Sequence, residues 1–130
     1  MSFRLLGNIS GILLLFQILP FVLNFVNRKL IKSKSPEFRT LMKWLRKIHK
    51  YTGALLLITA LIHGFMAFGT IRFHTGSVLY VMVILTAASG LGFHKKKKKR
   101  ILQMHRFLAG VMFLFFLLHY FFPGALSSLF

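Results

Sequence analysis

Four long apolar segments without any Lys, Arg, Asp or Glu constrain the fold of this chain more than any other feature. They are Leu5–Val26, Tyr51–Ile71, Thr75–Phe93 and Phe107–Phe130. A helix needs about 20 apolar residues to cross a hydrocarbon core of about 30 Å, so each segment is long enough to span a bilayer. We therefore predict one all-α membrane domain over residues 1–130, a bundle of four transmembrane helices. The predicted spans are about 5–26, 48–71, 75–93 and 103–126.

The charge of the chain is almost entirely positive and is confined to two connections between spans. Eighteen Lys/Arg face one acid, Glu37, for a formal charge of +17. Nine cations lie in residues 28–50 and seven in 95–106, which leaves only two elsewhere. Cytoplasmic loops carry the Lys/Arg excess in membrane proteins. We therefore predict an integral protein of a prokaryotic inner membrane, with basic connections in the cytoplasm and both termini outside.

Strong basicity in a soluble protein suggests nucleic acid, but cations placed between membrane spans indicate anionic lipids instead. The run Lys95–Arg100 is interpreted as an anchor on such lipids, with docking of an acidic partner protein as the alternative. We expect no nucleic-acid partner.

Several kinds of site chemistry are excluded by residues that the chain lacks. It has no cysteine, and hence no disulfide, thiolate ligand, iron–sulfur cluster or covalently attached c-type haem. A single carboxylate excludes carboxylate dyads, Ca²⁺ cages and Ser-His-Asp triads. No nucleotide-binding loop of the GxGxxG or Walker type occurs. Histidine is the remaining candidate for site chemistry.

The six histidines include two pairs with the same interval of fourteen residues, His49 with His63 and His105 with His119. Random placement predicts roughly 0.25 pairs at this separation. Fourteen residues close four turns at the 3.5-residue period of a left-handed bundle, so both histidines of a span face the same way, about 21 Å apart. Spans two and four are parallel and are therefore expected on a diagonal across the bundle. This predicts that His49 faces His105, here called the basic-end pair, and that His63 faces His119, here called the far-end pair.

Two opposed imidazoles can supply both axial ligands of a six-coordinate haem. We therefore predict two b-type haems, with iron bound by His49 and His105 at one level and by His63 and His119 at the other. Zinc or copper suits the pattern less well, because each level offers only two ligands. Interhelical hydrogen bonding is the structural alternative.

Other residues are assigned supporting roles around these levels. Glycines expected to give clearance for a macrocycle are Gly53, Gly64 and Gly110. Cations expected to bind haem propionates are Arg46, Lys50 and Arg106 at the basic end and Arg72 at the far end. His74, in the outer connection, is a candidate proton donor to an acceptor bound beside Arg72.

Two segments carry a family resemblance: HKYTG at 49–53 and HRFLA at 105–109, each with a second histidine fourteen positions after its first. They resemble the transmembrane domain shared by ferric reductases, NADPH oxidases and the haem subunits of bacterial methionine sulfoxide reductase systems, over roughly residues 40–122. The cytochrome b of quinol-oxidising complexes is a second likeness. The first resemblance implies that His49, His63, His105 and His119 ligate two b-type haems.

Many members of that family carry a cytoplasmic flavin and nicotinamide domain, which is not found in these 130 residues. We therefore expect a membrane oxidoreductase component that depends on a cytoplasmic flavoprotein or quinol as donor and on an extracytoplasmic redox acceptor. The direction of electron flow stays open. The alternative is a small scaffold, channel or transporter subunit with structural histidines.

Overall fold

The structure, a computed structural model, describes residues 2–69 and 73–129, and 85% of these residues are helical. Its helices are α1 (Phe3–Val26), α2 (Pro36–Phe68), α3 (Thr75–Lys96) and α4 (Lys99–Phe121), with a π-helical turn at Asn27–Ile31 after α1. All four helices are long and apolar enough to cross a membrane. The predicted all-α fold of four helices, each suited by length and composition to cross a membrane, is therefore confirmed.

Capping residues set the start and end of α2. Ser35 precedes the helix, and its hydroxyl accepts a hydrogen bond from the backbone N–H of Phe38 at 3.3 Å. Pro36 occupies the first turn, where a backbone N–H is not needed. Glu37 adds an acid to the first turn, so Ser35, Pro36 and Glu37 together are the local sequence signal for the start of this helix. At the other end Gly69 adopts a φ of 66°, a left-handed conformation that glycine tolerates and that ends the helix.

The end of α4 differs from the sequence expectation. The fourth span was expected to continue to about residue 126, but the helix ends at Phe121, and turns occupy residues 123–129. Phe122 leaves the helical region with a φ of −135° and a ψ of 66°. The physical reason is Pro123, because a residue before proline is disfavoured in the helical conformation. Ile71 and Phe130, the last residues of the second and fourth apolar segments, lie outside the described residues.

The core of the bundle is one apolar layer to which every helix contributes a side chain. These side chains are Leu14, Leu56, Val83 and Met112, each 2–5% exposed. The most extensive helix packing joins α1 to α2 and α3 to α4, with a smaller contact between α2 and α3. This order leaves α2 and α4 on a diagonal. Leu56 and Met112 lie seven residues from the histidines on either side, so the central layer separates the two levels.

Most of the apolar surface faces outward. Only 6–17% of the most apolar part of each spanning helix is buried within the chain. Large side chains such as Phe107 and Leu30 are 70% and 78% exposed. A soluble monomer rarely exposes so much contiguous apolar surface, whereas lipid chains cover it without cost. The outward surface therefore suits a bilayer, while the sides on which the connections lie stay a prediction from the Lys/Arg distribution.

Candidate functional site

The four histidines with the fourteen-residue interval lie in two facing pairs between α2 and α4. The ring centroids of His49 and His105 are 6.2 Å apart with an interplanar angle of 81°. Those of His63 and His119 are 6.4 Å apart at 72°. All four residues are half-buried. The structure thus brings together the same partners that the sequence spacing predicts.

Hydrogen bonds define the tautomers of both far-end rings. His63 Nδ1 lies 2.7 Å from the carbonyl oxygen of Phe3. Because a carbonyl only accepts, this nitrogen must carry the proton. His119 Nδ1 lies 2.9 Å from the hydroxyl of Thr75, which itself donates to the carbonyl of Pro123 at 2.7 Å. That hydroxyl can only accept from His119. In its neutral form, each of these two rings therefore keeps the lone pair of Nε2 for another ligand.

At the basic end, His105 has the same tautomer for the same reason. Its Nδ1 lies 2.9 Å from the carbonyl of Thr86 and 3.1 Å from the hydroxyl of Ser89. The Ser89 hydroxyl donates to that same carbonyl at 2.7 Å. The bond from Nδ1 to the carbonyl therefore places the proton of His105 on Nδ1, and Nε2 keeps its lone pair.

His49 has a different partner, the side-chain amide of Gln17 on α1. The amide is satisfied at both ends when its oxygen accepts from the N–H of Gly53 at 2.9 Å and from the Thr52 hydroxyl. Its nitrogen then donates to the carbonyl and to Nδ1 of His49, at 3.2 and 3.0 Å. In this arrangement Nδ1 of His49 accepts, so the proton lies on Nε2. The tautomer of His49 therefore depends on the orientation of the Gln17 amide: when the amide oxygen faces Nδ1 instead, Nδ1 carries the proton.

Three of the rings pack against glycines on the helices next to their own. A Cβ atom on Gly7 would lie 2.8 Å from Cε1 of His63, and one on Gly90 would lie 3.1 Å from Cε1 of His105. A Cβ on Gly76 would approach Cε1 of His119 to 3.1 Å. These distances are shorter than ordinary van der Waals contact. The absence of a side chain at these positions on α1 and α3 is what lets the rings sit there.

The three glycines expected to give clearance for a macrocycle do not face a histidine ring. Gly64 and Gly110 face open space, and Gly53 faces the amide of Gln17, whose oxygen a Cβ would approach to 3.4 Å. Clearance for a macrocycle at these three glycines stays a prediction. The histidine rings themselves fit against glycines of α1 and α3, which the sequence interval alone did not indicate.

The cations assigned to propionates contact other groups of the chain. Lys50 Nζ lies 3.3 Å from Nε2 of His94, and the guanidinium of Arg106 lies 5.9 Å from the ring centre of Phe21. Arg46 lines a cleft beside the turn between α1 and α2. Arg72 lies outside the described residues. Their role beside a haem therefore stays a prediction.

His74 has a structural role that the sequence analysis missed, because it caps the N-terminus of α3. Its Nδ1 accepts hydrogen bonds from the N–H groups of Gly76 and Ser77, at 2.9 and 3.3 Å. Burial lowers the pKa of the His74 imidazole, which favours the neutral ring that this cap requires. Histidine is not a usual capping residue, so its position before Thr-Gly-Ser gave little signal.

The spacing within each pair suits two imidazoles on opposite sides of one metal ion. A metal–nitrogen bond of about 2.0 Å, plus about 1.1 Å from nitrogen to ring centre, separates two such centroids by about 6.2 Å. Within residues 2–69 and 73–129, no group of three or more His, Cys, Asp or Glu side chains could hold a metal ion. Each level therefore offers two protein ligands and suits a metal that brings its other ligands with it.

Comparison of the chain with protein-family models, curated proteins and solved structures gives no match.

Proposed function

We propose that this chain is a dihaem b-type transmembrane cytochrome that moves electrons between the two faces of a membrane. The observation that carries the proposal is the arrangement of the facing histidine rings. Three of the four donate hydrogen bonds from Nδ1, and in the neutral ring this tautomer leaves Nε2 with the lone pair that can bind a metal. With ring centroids 6.2 and 6.4 Å apart, the two histidines at each level would be able to hold one haem between them.

His49 with His105 would hold one haem, and His63 with His119 the other. When bound, each haem supplies a reversible one-electron carrier. The chain itself would supply orientation, because the acceptors at Nδ1 of His63, His105 and His119 fix these three rings and raise the basicity of their Nε2 atoms. These acceptors come from α1, from α3 and, through Thr75, from the turn after α4. The packing of all four helices therefore supports the ligand geometry.

The proposed donor is a cytoplasmic flavoprotein or quinol, and the proposed acceptor is an extracytoplasmic redox partner. The chain has no nucleotide-binding loop of its own, which supports dependence on a separate donor. The Lys/Arg-rich connections favour the cytoplasmic side for the basic-end pair. His74, which precedes α3, and Arg72, two residues earlier in the sequence, are candidates to contact the acceptor.

The same hydrogen bonds also favour a second candidate function, a membrane scaffold or transport subunit with structural histidines. His63 joins α2 to α1 through Phe3, and His105 joins α4 to α3 through Thr86. Hydrogen bonds between spanning helices stabilise membrane bundles without any cofactor. In this alternative, the rings are fixed because they hold the helices together.

The spectrum of the purified protein distinguishes the two candidates. After expression with sufficient haem, the proposal predicts a reducible b-type absorption spectrum and two haems per chain by pyridine haemochrome assay. A colourless, well-folded protein would overturn the proposal and favour the scaffold.

Single substitutions then test the two levels separately. His119→Ala removes one proposed ligand of the far-end pair, so we expect loss or high-spin conversion of about half the haem absorbance, because the two levels share no histidine. His105→Ala should have the matching effect at the basic end. His74→Ala is the control and should keep both haems. Two normal low-spin haems in His119→Ala would contradict the pairing.

A further inference from the structure

The turn between α1 and α2 is fixed by the side chain of Asn27, which is 9% exposed. Its amide nitrogen donates to the carbonyl of Ser33 at 3.1 Å, and its amide oxygen accepts from the N–H of Ser33 at 2.9 Å. The Ser33 hydroxyl donates to that of Ser35, the residue that caps α2, at 3.2 Å. The chain between the π-helical turn and α2 is therefore held by its own side chains.

A cleft of about 270 Å³ lies against this turn, here called the turn cleft. It combines three cationic side chains with polar groups of the turn and an apolar part formed by Phe38 and Met42. Met42 is 5% exposed, so this part belongs to the packed structure. The residues that line the cleft are Asn24, Asn27, Ser33, Lys34, Phe38, Arg39, Met42 and Arg46.

No acidic side chain lines the turn cleft to balance its positive charges. Lys34, Arg39 and Arg46 contribute three positive charges, and the only acid of the chain, Glu37, does not line the cleft. Like charges close together repel each other, and the repulsion grows as lipid replaces water around them. An anion that contacts all three cations would remove this repulsion.

The depth of the turn cleft in a bilayer follows from helix length. The continuous helical segment Phe3–Ile31 has 29 residues, about 43 Å at the helical rise, which exceeds a hydrocarbon core of about 30 Å. About 20 residues counted from Leu5 reach Asn24, so the residues that follow lie at the depth of the lipid headgroups. The turn cleft therefore opens where lipid phosphates are concentrated.

We propose that the turn cleft binds one anionic phospholipid, with its phosphate among Lys34, Arg39 and Arg46 and its glycerol and acyl region against the half-buried ring of Phe38. Free phosphate would satisfy the cations but would gain nothing from the apolar part. The proposal does not depend on haem binding, since no residue of either histidine pair lines the turn cleft.

Native mass spectrometry of the full chain in detergent, titrated with phosphatidylglycerol, tests the proposal. The wild-type protein should retain one phosphatidylglycerol and bind it at least about tenfold more tightly than phosphatidylcholine. The double variant Lys34→Gln/Arg39→Gln should bind it about tenfold more weakly. The matched control Lys43→Gln/Lys47→Gln removes the same charge from exposed positions outside the cleft and should lose less than about threefold.

Three outcomes would overturn the proposal. Equal losses in the two double variants would show that attraction to the basic segment as a whole, rather than the turn cleft, binds the lipid. Complete displacement of phosphatidylglycerol by millimolar inorganic phosphate would show a site for soluble phosphate. Equal binding of phosphatidylcholine would show that the cations do not select the ligand. Circular dichroism of each variant checks that the helices are retained.

Discussion

Thr75 is fully buried, at 0% exposure, and links the His119 ring to the turn after α4. Thr75→Val keeps the shape of the side chain but leaves the Nδ1–H of His119 without this acceptor. A buried unpaired donor costs about 1–3 kcal/mol, so we expect a lower melting temperature. Thr75→Ser keeps the hydroxyl and should retain most of the stability. An equal loss in the Ser variant would show that the methyl group, rather than the hydrogen bond, matters.

Two glycines at the far-end level should respond in opposite directions to the same substitution. Gly7→Ala places a methyl group 2.8 Å from the His63 ring, and overpacking costs about 1–3 kcal/mol. Gly64→Ala meets nothing within 4 Å and should gain up to about 1 kcal/mol from helix propensity. Thermal unfolding of the two variants provides the measurement. A stabilised Gly7→Ala protein would show that the His63 ring does not depend on this contact.

The pairing of the histidines was predictable because it depends on an interval within one helix. Their Nδ1 partners were not, because they come from distant parts of the chain. His63 and Phe3 are 60 residues apart, and His119 and Thr75 are 44 apart. Backbone carbonyls also have no residue-type signal, so the acceptor for His63 could be identified only from the packing of α1 on α2.

The ends of the helices agree with local capping and proline signals in the sequence. Ser35 and Pro36 mark the start of α2, and the structure places it there. Pro123 is an equally local signal for the end of α4, but the apolar character of residues 122–130 suggested a longer span. Hydropathy measures how well a segment suits lipid, whereas proline restricts the backbone of the residue before it. At the end of α4 the restriction by Pro123 decides where the helix stops.

The cap of α3 should make thermal stability depend on pH. The folded-state pKa of His74 is lowered from 6.5, so the unfolded chain binds more protons in the window just below that value. Stability from the cap is therefore complete above about pH 6.5 and is lost as pH falls below it. We expect the melting temperature of the wild type to fall between about pH 7 and pH 5.

His74→Asn provides the control for that pH dependence, because asparagine caps helices well and does not titrate. The melting temperature of this variant should fall less over the same range. Parallel curves for the wild type and His74→Asn would show that other histidines cause the loss.

The orientation of the whole molecule can be tested because the chain has no cysteine, so each introduced thiol is the only one. Lys97→Cys, in the turn between α3 and α4, should resist a membrane-impermeant maleimide in intact cells and react after lysis. Ser127→Cys, beyond α4, should react in intact cells. The reverse pattern would place the basic connections outside.

The central layer of Leu14, Leu56, Val83 and Met112 bears on the energetics of the proposed transfer. None of these side chains can carry a proton, and the layer separates histidine levels about 21 Å apart. An electron that crosses from one level to the other would therefore travel without a compensating proton through this layer. Turnover would be electrogenic and would work with or against the membrane voltage, at about 2.3 kcal/mol per charge for each 100 mV. A potassium ionophore that collapses the voltage should then change the rate of transfer even though neither redox partner has changed.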